Sequence, residues 1–226
     1  MKICIPIKEK TVSKVLKILS EASERADLAE VWLDGIKEPD HKKIFSDAPL
    51  PLVACCKRRQ EKGSFTGSYE AQAEILINAI KYGAKYVDIP LFMPEKLNKK
   101  IVQSAHKAGV KVIISHHDFE KTPDFRQMLR ICKKMSERGA DIVKIAVKNK
   151  VVSDAIEVIS VGKVMQGQKR PHILIGMGQK GILTRILTPT LSGEMMFAVL
   201  DKKRQTAEGQ MTVDELKEAW KLIKAK

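Results

Sequence analysis

The feature that most constrains this chain is a regular alternation of short apolar runs with amphipathic ones, repeated eight times without a break. The apolar runs are Ile3–Ile7, Leu28–Asp34, Leu52–Cys56, Tyr86–Leu91, Lys111–His116, Asp141–Val147, His172–Met177 and Met195–Leu200. They are rich in the β-branched residues that suit strands. Between them lie stretches with apolar residues at helical spacing. These are Thr11–Arg25 (Val12, Val15, Leu16, Leu19), a short piece around His41–Ser46, Tyr69–Tyr82, Pro94–Lys107, a helix capped at Thr122-Pro123 and running to Arg138, Ser153–Gln166, a segment containing Arg185, and a closing helix Thr212–Lys224. Starts at Ser, Thr or Pro and stops at Gly83, Gly109 and Gly139 mark helix ends. Strands alternating with helices form a parallel sheet. Eight such units in 226 residues, with no linker or low-complexity tract, predict an α/β chain folded as one (β/α)8 TIM barrel over residues 1–226. The rival, an open doubly wound sheet, usually carries a glycine-rich phosphate turn after its first strand; here that turn reads Ile7-Lys8-Glu9-Lys10.

Composition narrows the function classes. Hydrophobic residues at 44% and charged ones at 30% fit a globular chain with a buried core. No apolar run is long enough to span a bilayer, so no membrane association is expected. The apolar N-terminus gives way to Lys8 and Glu9 after a few residues and reads as the first strand rather than a secretory signal. Cys4, Cys55, Cys56 and Cys132 form no CxxC pair and no metal-like spacing. Reduced, core-packed thiols in a cytoplasmic protein are therefore expected. A net charge of +14 raises the possibility of nucleic acid. The lysines, however, are spread along the whole chain, and aromatics at 5% are too few for base stacking. The expectation is a solvated lysine-rich surface with no nucleic-acid partner.

In a barrel, chemistry belongs at the C-terminal ends of the strands. Lys144 stands within the apolar strand Asp141–Val147. A buried ammonium must be paired or lose its proton, and desolvation favours the neutral amine. Such a lysine is either a Schiff-base nucleophile or a side chain snorkelling to solvent. His116 and His117 follow the fifth strand, one strand from Lys144. They read as general acid–base groups or as turn residues that cap and pack. No HExxH or comparable ligand spacing occurs, so no metal is expected. Glu30 sits in the middle of the second strand and requires a polar interior partner. Arg185, soon after the seventh strand, could fork onto a carboxylate or lie on the surface.

Several stretches resemble one family. Ser115-His116-His117-Asp118-Phe119-Glu120-Lys121-Thr122-Pro123 is similar to the HDFxxTP signature of the type I 3-dehydroquinate dehydratases (3-dehydroquinases). Gly139-Ala140-Asp141-Ile142-Val143-Lys144-Ile145-Ala146 resembles that family's GADIxKIA strand with its imine-forming lysine. Gly181–Arg185 is similar to the segment bearing its carboxylate-binding arginine, and Thr206-Ala207-Glu208-Gly209-Gln210 to its SAPGQ lid. Glu30 and Asp34 match the ExRxD strand, and Glu61 the RxxxEGG segment.

The resemblance implies a lyase of the shikimate pathway, serving aromatic amino acid biosynthesis, that converts 3-dehydroquinate to 3-dehydroshikimate and water. It implies no cofactor, and a homodimer. Lys144 would form the imine, His117 would be the acid–base group and Glu61 its orienting partner. Arg185 and Gln210 would hold the substrate carboxylate, Glu30 its hydroxyls, Thr206 would replace the lid serine, and Met177 would line the pocket. Three positions depart from the pattern. Trp32 stands where the family has an arginine reaching the substrate. Lys57 replaces the arginine of RxxxEGG, unless a shift of one residue gives that place to Arg58. Pro90 replaces the glutamate of the DIEL strand. These departures leave open a divergent Schiff-base lyase or aldolase acting on another small oxo-acid, and a non-catalytic basic binding protein on the same scaffold.

Overall fold

The computed structural model describes residues 2–224; residues 1 and 225–226 of the expected span lie outside them. Eight parallel strands run in chain order: β1 (Lys2–Ile7), β2 (Leu28–Trp32), β3 (Leu52–Cys55), β4 (Tyr86–Pro90), β5 (Lys111–Asp118), β6 (Ile142–Lys148), β7 (His172–Met177) and β8 (Met195–Phe197). β1 to β7 pair with their sequence neighbours, and β8 pairs with β1 through Lys2–Met195, Ile3–Met196 and Cys4–Phe197. Between β7 and β8 the ring is closed by a backbone bond from Glu194 N to His172 O, 2.8 Å long. The result is the nearly closed barrel expected from the alternation.

Outside it lie α1 (Val12–Ser23), α2 (His41–Phe45), α3 (Tyr69–Lys81), α4 (Glu95–Lys107), α5 (Phe125–Glu137), α6 (Val152–Gly167), α7 (Ile182–Leu187) and α8 (Val213–Lys224). Their starts follow from capping chemistry. Thr11 accepts from Lys14 N ahead of α1, and Ser68 from Ala71 N ahead of α3. α1 then buries Val15, Ile18, Leu19 and Ala22, one face at helical spacing.

Strand side chains alternate between two cores. In β6, Ile142 and Ala146 join the barrel interior, while Val143, Ile145 and Val147 pack outward with residues of α5 and α6. That alternation points Lys144 inward.

Several boundaries differ from the sequence reading. β5 continues through His116 and His117 to Asp118, because both histidines stay in register with Ile145 and Ala146 of β6. α5 begins at Phe125, since Asp124 and Gln127 form a reciprocal capping box. Thr122, expected as the cap, instead donates to Lys148 O across the barrel rim (2.7 Å). β2 ends at Trp32, with Asp34 in a tight 3-10 turn, Leu33–Gly35. β8 is only three residues long.

Candidate active site

At the C-terminal mouth of the barrel a partly enclosed cavity opens, the usual place for a small-molecule site in such a fold. Glu30, Trp32, Glu61, His117, Lys144, Met177, Arg185, Thr206 and Gln210 all line it, so nine of the ten expected site residues converge. The tenth, Lys57, is fully buried behind Glu61 and does not reach the cavity wall.

Lys144 lies at the cavity floor, only 3% exposed. Its Nζ donates to Glu30 Oε1 at 2.8 Å and Asp88 Oδ2 at 2.9 Å, and stands 4.3 Å from the centre of the Phe197 ring. Desolvation was expected to favour the neutral amine, and burial does push that way. The adjoining charges of Asp88 and Glu30 more than reverse it, holding the pKa well above the ordinary lysine range. The resting side chain is a paired ammonium.

Asp88 was not singled out from the sequence, although an aspartate inside the apolar strand Tyr86–Pro90 carried the same signal as Glu30. It is fully buried and binds both lysines. Oδ2 accepts from Lys144, while Oδ1 accepts from Lys57 Nζ at 2.7 Å and Ser115 Oγ at 2.5 Å. Burial alone would raise its pKa, but the charges of Lys144 and Lys57 keep the carboxyl far below the usual carboxylate range.

His117 points into the cavity, whereas His116, its neighbour in the strand, faces outward. Nδ1 of His117 is 3.2 Å from Glu61 Oε1, and the ring stacks on Phe119 with centroids 5.9 Å apart. Desolvation lowers the imidazole pKa, Glu61 pulls it back, and Lys57 and Lys144 lower it again. The net displacement is below the ordinary value of 6.5, so the ring is neutral at neutral pH. With Nδ1 turned to Glu61, Nε2 is the nitrogen left for a ligand.

Glu61 is delivered by a 3-10 turn, Arg59–Glu61, directly after β3. The turn doubles back so tightly that a Cβ on Gly63 would lie 1.9 Å from Lys57 O. Asp34 braces it, accepting from Lys57 N (2.9 Å) and Ser64 N (2.8 Å). This settles the register left open by the sequence: Lys57 turns inward, while Arg58 donates to Gln72 and Gly67 O and lies 4.0 Å over the Tyr69 ring, outside the barrel.

Trp32 lines the cavity and donates its indole N–H to Glu30 Oε2 at 2.9 Å. Glu30 thus has both oxygens engaged, one by Lys144 and one by Trp32. Arg185 is 1% exposed and donates through Nη1 to Phe197 O at 3.2 Å, while its Nε and Nη2 find no protein partner. Burial without a counter-ion lowers its pKa to about 10. Facing it, the segment Thr206–Gln210 is folded on itself: Gln210 Oε1 accepts from Thr206 N and Ala207 N, and its Nε2 donates to Thr206 Oγ1. The segment docks just past the end of β7, where Gly178 N donates to Glu208 O (3.0 Å). Gly209, at φ +78°, admits no side chain there, since a Cβ would sit 2.5 Å from Gly178 O.

A model of the type I 3-dehydroquinase family matches residues 3–226. The chain belongs to that family. Among similar sequences, the 3-dehydroquinate dehydratase of Methanocaldococcus jannaschii is 35% identical over 226 residues, covering 99% of this chain and all of that protein. That of Methanococcus maripaludis is 34% identical over 223 residues, covering 98% and 99%. A type I 3-dehydroquinate dehydratase from Clostridium difficile, solved with covalently modified comenic acid, superposes with a TM-score of 0.89 at 26% identity, covering 98% of this chain and 91% of that one.

Of the three departures in this member of the type I 3-dehydroquinases, a family of hydro-lyases, only Trp32 lines the cavity. Trp32 ties down Glu30, Lys57 is withdrawn from the cavity, and Pro90 ends β4 beside Ser115. Phe119, Phe197 and Lys62, which also line the cavity, were not expected. Phe197 is an ordinary core residue by its sequence context. Among the described residues no group of three or more His, Cys, Asp or Glu side chains is placed to hold a metal ion, and no helix is long and apolar enough to cross a membrane.

Proposed function

We propose that this 3-dehydroquinase removes water from 3-dehydroquinate to give 3-dehydroshikimate, within the shikimate pathway, through an imine on Lys144 with His117 as general acid and base. The observation that carries the reading is the meeting, in one cavity, of a buried amine between two carboxylates, a neutral imidazole, and a buried guanidinium with unfilled donors.

Each step balances with these groups. The Lys144 ammonium gives one proton to Asp88 or Glu30, and the free amine adds to the ketone carbon. The same proton returns with the resulting hydroxyl, which leaves as water, and a cationic imine remains. The imine acidifies the neighbouring carbon, from which neutral His117 takes a proton. Imidazolium then protonates the departing hydroxyl, so a second water leaves and a double bond forms. Addition of one water to the imine releases the ketone product and restores the Lys144 ammonium. Arg185 Nε and Nη2 supply a fork for the substrate carboxylate, aided by Thr206 and Gln210. Glu30 meets a substrate hydroxyl once Trp32 yields its oxygen, and Met177 forms an apolar wall. The covalent ligand of the Clostridium difficile relative is consistent with a nucleophile in this barrel.

The chain acts as a homodimer in the cytoplasm on this reading. α6 supports the first point with an outward apolar face including Val152 and Ile156, 47% and 57% exposed, and the four free buried thiols suit a reducing compartment.

Borohydride added with 3-dehydroquinate should inactivate the enzyme and leave a reduced adduct on Lys144 in a peptide map. An adduct on another lysine, or none despite turnover, overturns the imine assignment.

A further inference from the structure

Lys57 occupies a place that the reaction as written does not use. It is the second of two buried lysines in the barrel, 1% exposed, and all three of its ammonium hydrogens are engaged. Nζ donates to Asp88 Oδ1 at 2.7 Å, Ser115 Oγ at 3.2 Å and Glu61 Oε1 at 3.3 Å. Two of these acceptors are the partners of the reacting groups. The same Glu61 oxygen lies 3.2 Å from His117 Nδ1, and the other oxygen of Asp88 takes the hydrogen bond from Lys144 at 2.9 Å. A continuous string therefore runs His117, Glu61, Lys57, Asp88, Lys144, with one ammonium at its centre.

We propose that Lys57 is a positioning residue, a fixed buried cation that bridges the carboxylate partners of His117 and Lys144 and makes both reacting groups easier to deprotonate. The proposal rests on the reading of those two residues given above.

Charge counting shows why the bridge matters. Around it stand Glu30 from β2, Cys55 from β3, Glu61 from the turn after β3, Asp88 from β4, Ser115 and His117 from β5, and Lys144 from β6; Asp34 accepts from the Lys57 backbone. With Lys57 present, three carboxylates (Glu30, Glu61 and Asp88) face two ammoniums. Without it they face Lys144 alone, and the excess negative charge would hold protons on Lys144 and His117. The direction agrees with the local electrostatics, in which Lys57 lowers the proton affinity of both groups. A compact ammonium suits a site where three acceptors converge on one point, whereas a planar guanidinium spreads its donors over a wide fork. Lysine in place of the family's arginine therefore marks withdrawal from the substrate into the electrostatic frame.

The test compares Lys57→Met and Lys57→Arg with wild type, reading kcat and KM for 3-dehydroquinate across pH, and the His117 imidazole titration by NMR in the absence of substrate. Lys57→Met should move the acid limb of kcat/KM and the His117 midpoint upward by about one pH unit or more, as for loss of a neighbouring charge. KM on the plateau should change by less than about threefold, since a residue walled off from the cavity makes no direct ligand contact. Lys57→Arg keeps the buried cation, so although its fork fits the three acceptors less well, both midpoints should stay nearer wild type than those of Lys57→Met, and KM should stay within about twofold. Unmoved midpoints in Lys57→Met, or a KM lowered about tenfold by Lys57→Arg, the effect of one charged hydrogen bond gained to substrate, overturn the proposal. Should Lys57→Met not fold, KM and the midpoint in Lys57→Arg still decide between a bridge and a substrate ligand. If wild type gives no borohydride adduct on Lys144, the imine reading fails separately, and the His117 titration still tests the bridge.

Discussion

Replacing Arg185 with methionine should make the ligand-free protein more stable and the enzyme far worse. The guanidinium is buried with only its Nη1 bonded, to Phe197 O, and burial lowers its pKa from the ordinary arginine range to about 10. At about 1.4 kcal/mol per tenfold change, that fall amounts to roughly 3 kcal/mol spent on burying the charge. Methionine is of similar length, apolar and adaptable, so it removes this cost and forfeits one hydrogen bond worth about 1 kcal/mol. The balance, about 2 kcal/mol in favour of the variant, should raise Tm by roughly 4–8 °C in a chain of this size. Binding moves the other way. Losing the partner of a buried carboxylate costs about 2–5 kcal/mol, so KM should rise at least thirtyfold. Thermal melting with and without 3-dehydroshikimate, beside steady-state kinetics, reads both effects. Wild type should gain stability from the ligand and the variant should gain little. A variant that melts several degrees lower without ligand, or keeps KM within threefold, refutes the picture of Arg185 as a destabilising cation held for the substrate.

The histidine pair should separate cleanly. His117→Ala is expected to lower kcat by about 10²–10⁴, the usual worth of a general acid–base group, while His116→Ala, on the outward face, should stay within about fivefold; single-turnover assays of both check it, and equal losses count against the assignment. Because the His117 pKa lies below 6.5 and Glu61 is what holds it up, activity should persist below that pH in wild type, and Glu61→Gln should move the acid limb of kcat/KM lower still. A limb displaced upward by Glu61→Gln would contradict this sign.

Much of the architecture was legible because it depends on period and punctuation. The alternation of apolar runs required eight parallel strands, and the inward direction of Lys144 follows from its place between Val143 and Ile145. What escaped were properties set by partners far along the chain. Desolvation alone argues for a neutral Lys144, and only Asp88 and Glu30, 56 and 114 residues away, reverse it. Asp88 itself could have been found by the reasoning applied to Glu30. The withdrawal of Lys57 could not, since it depends on a backbone reversal at Gly63 that pulls the side chain behind Glu61. β5 runs past its apolar stretch because pairing with β6 carries His117 and Asp118, overriding the low strand propensity of aspartate.

The seam between β7 and β8 bears on how such a ring is assembled. Seven neighbouring pairs are laced by ladders, but His172 O and Glu194 N alone join the last pair among the described residues, and β8 contributes three residues to β1. On a ribosome, β1 emerges first and its companion on that side emerges some 190 residues later, as the pairing of Lys2 with Met195 requires. Until then β1 presents a bare row of amides, an invitation to stray pairing that other edges of the growing sheet lose within one helix of being made. The longest exposure thus falls on the first of the eight strands, and relief arrives in a segment of only three residues, Met195–Phe197.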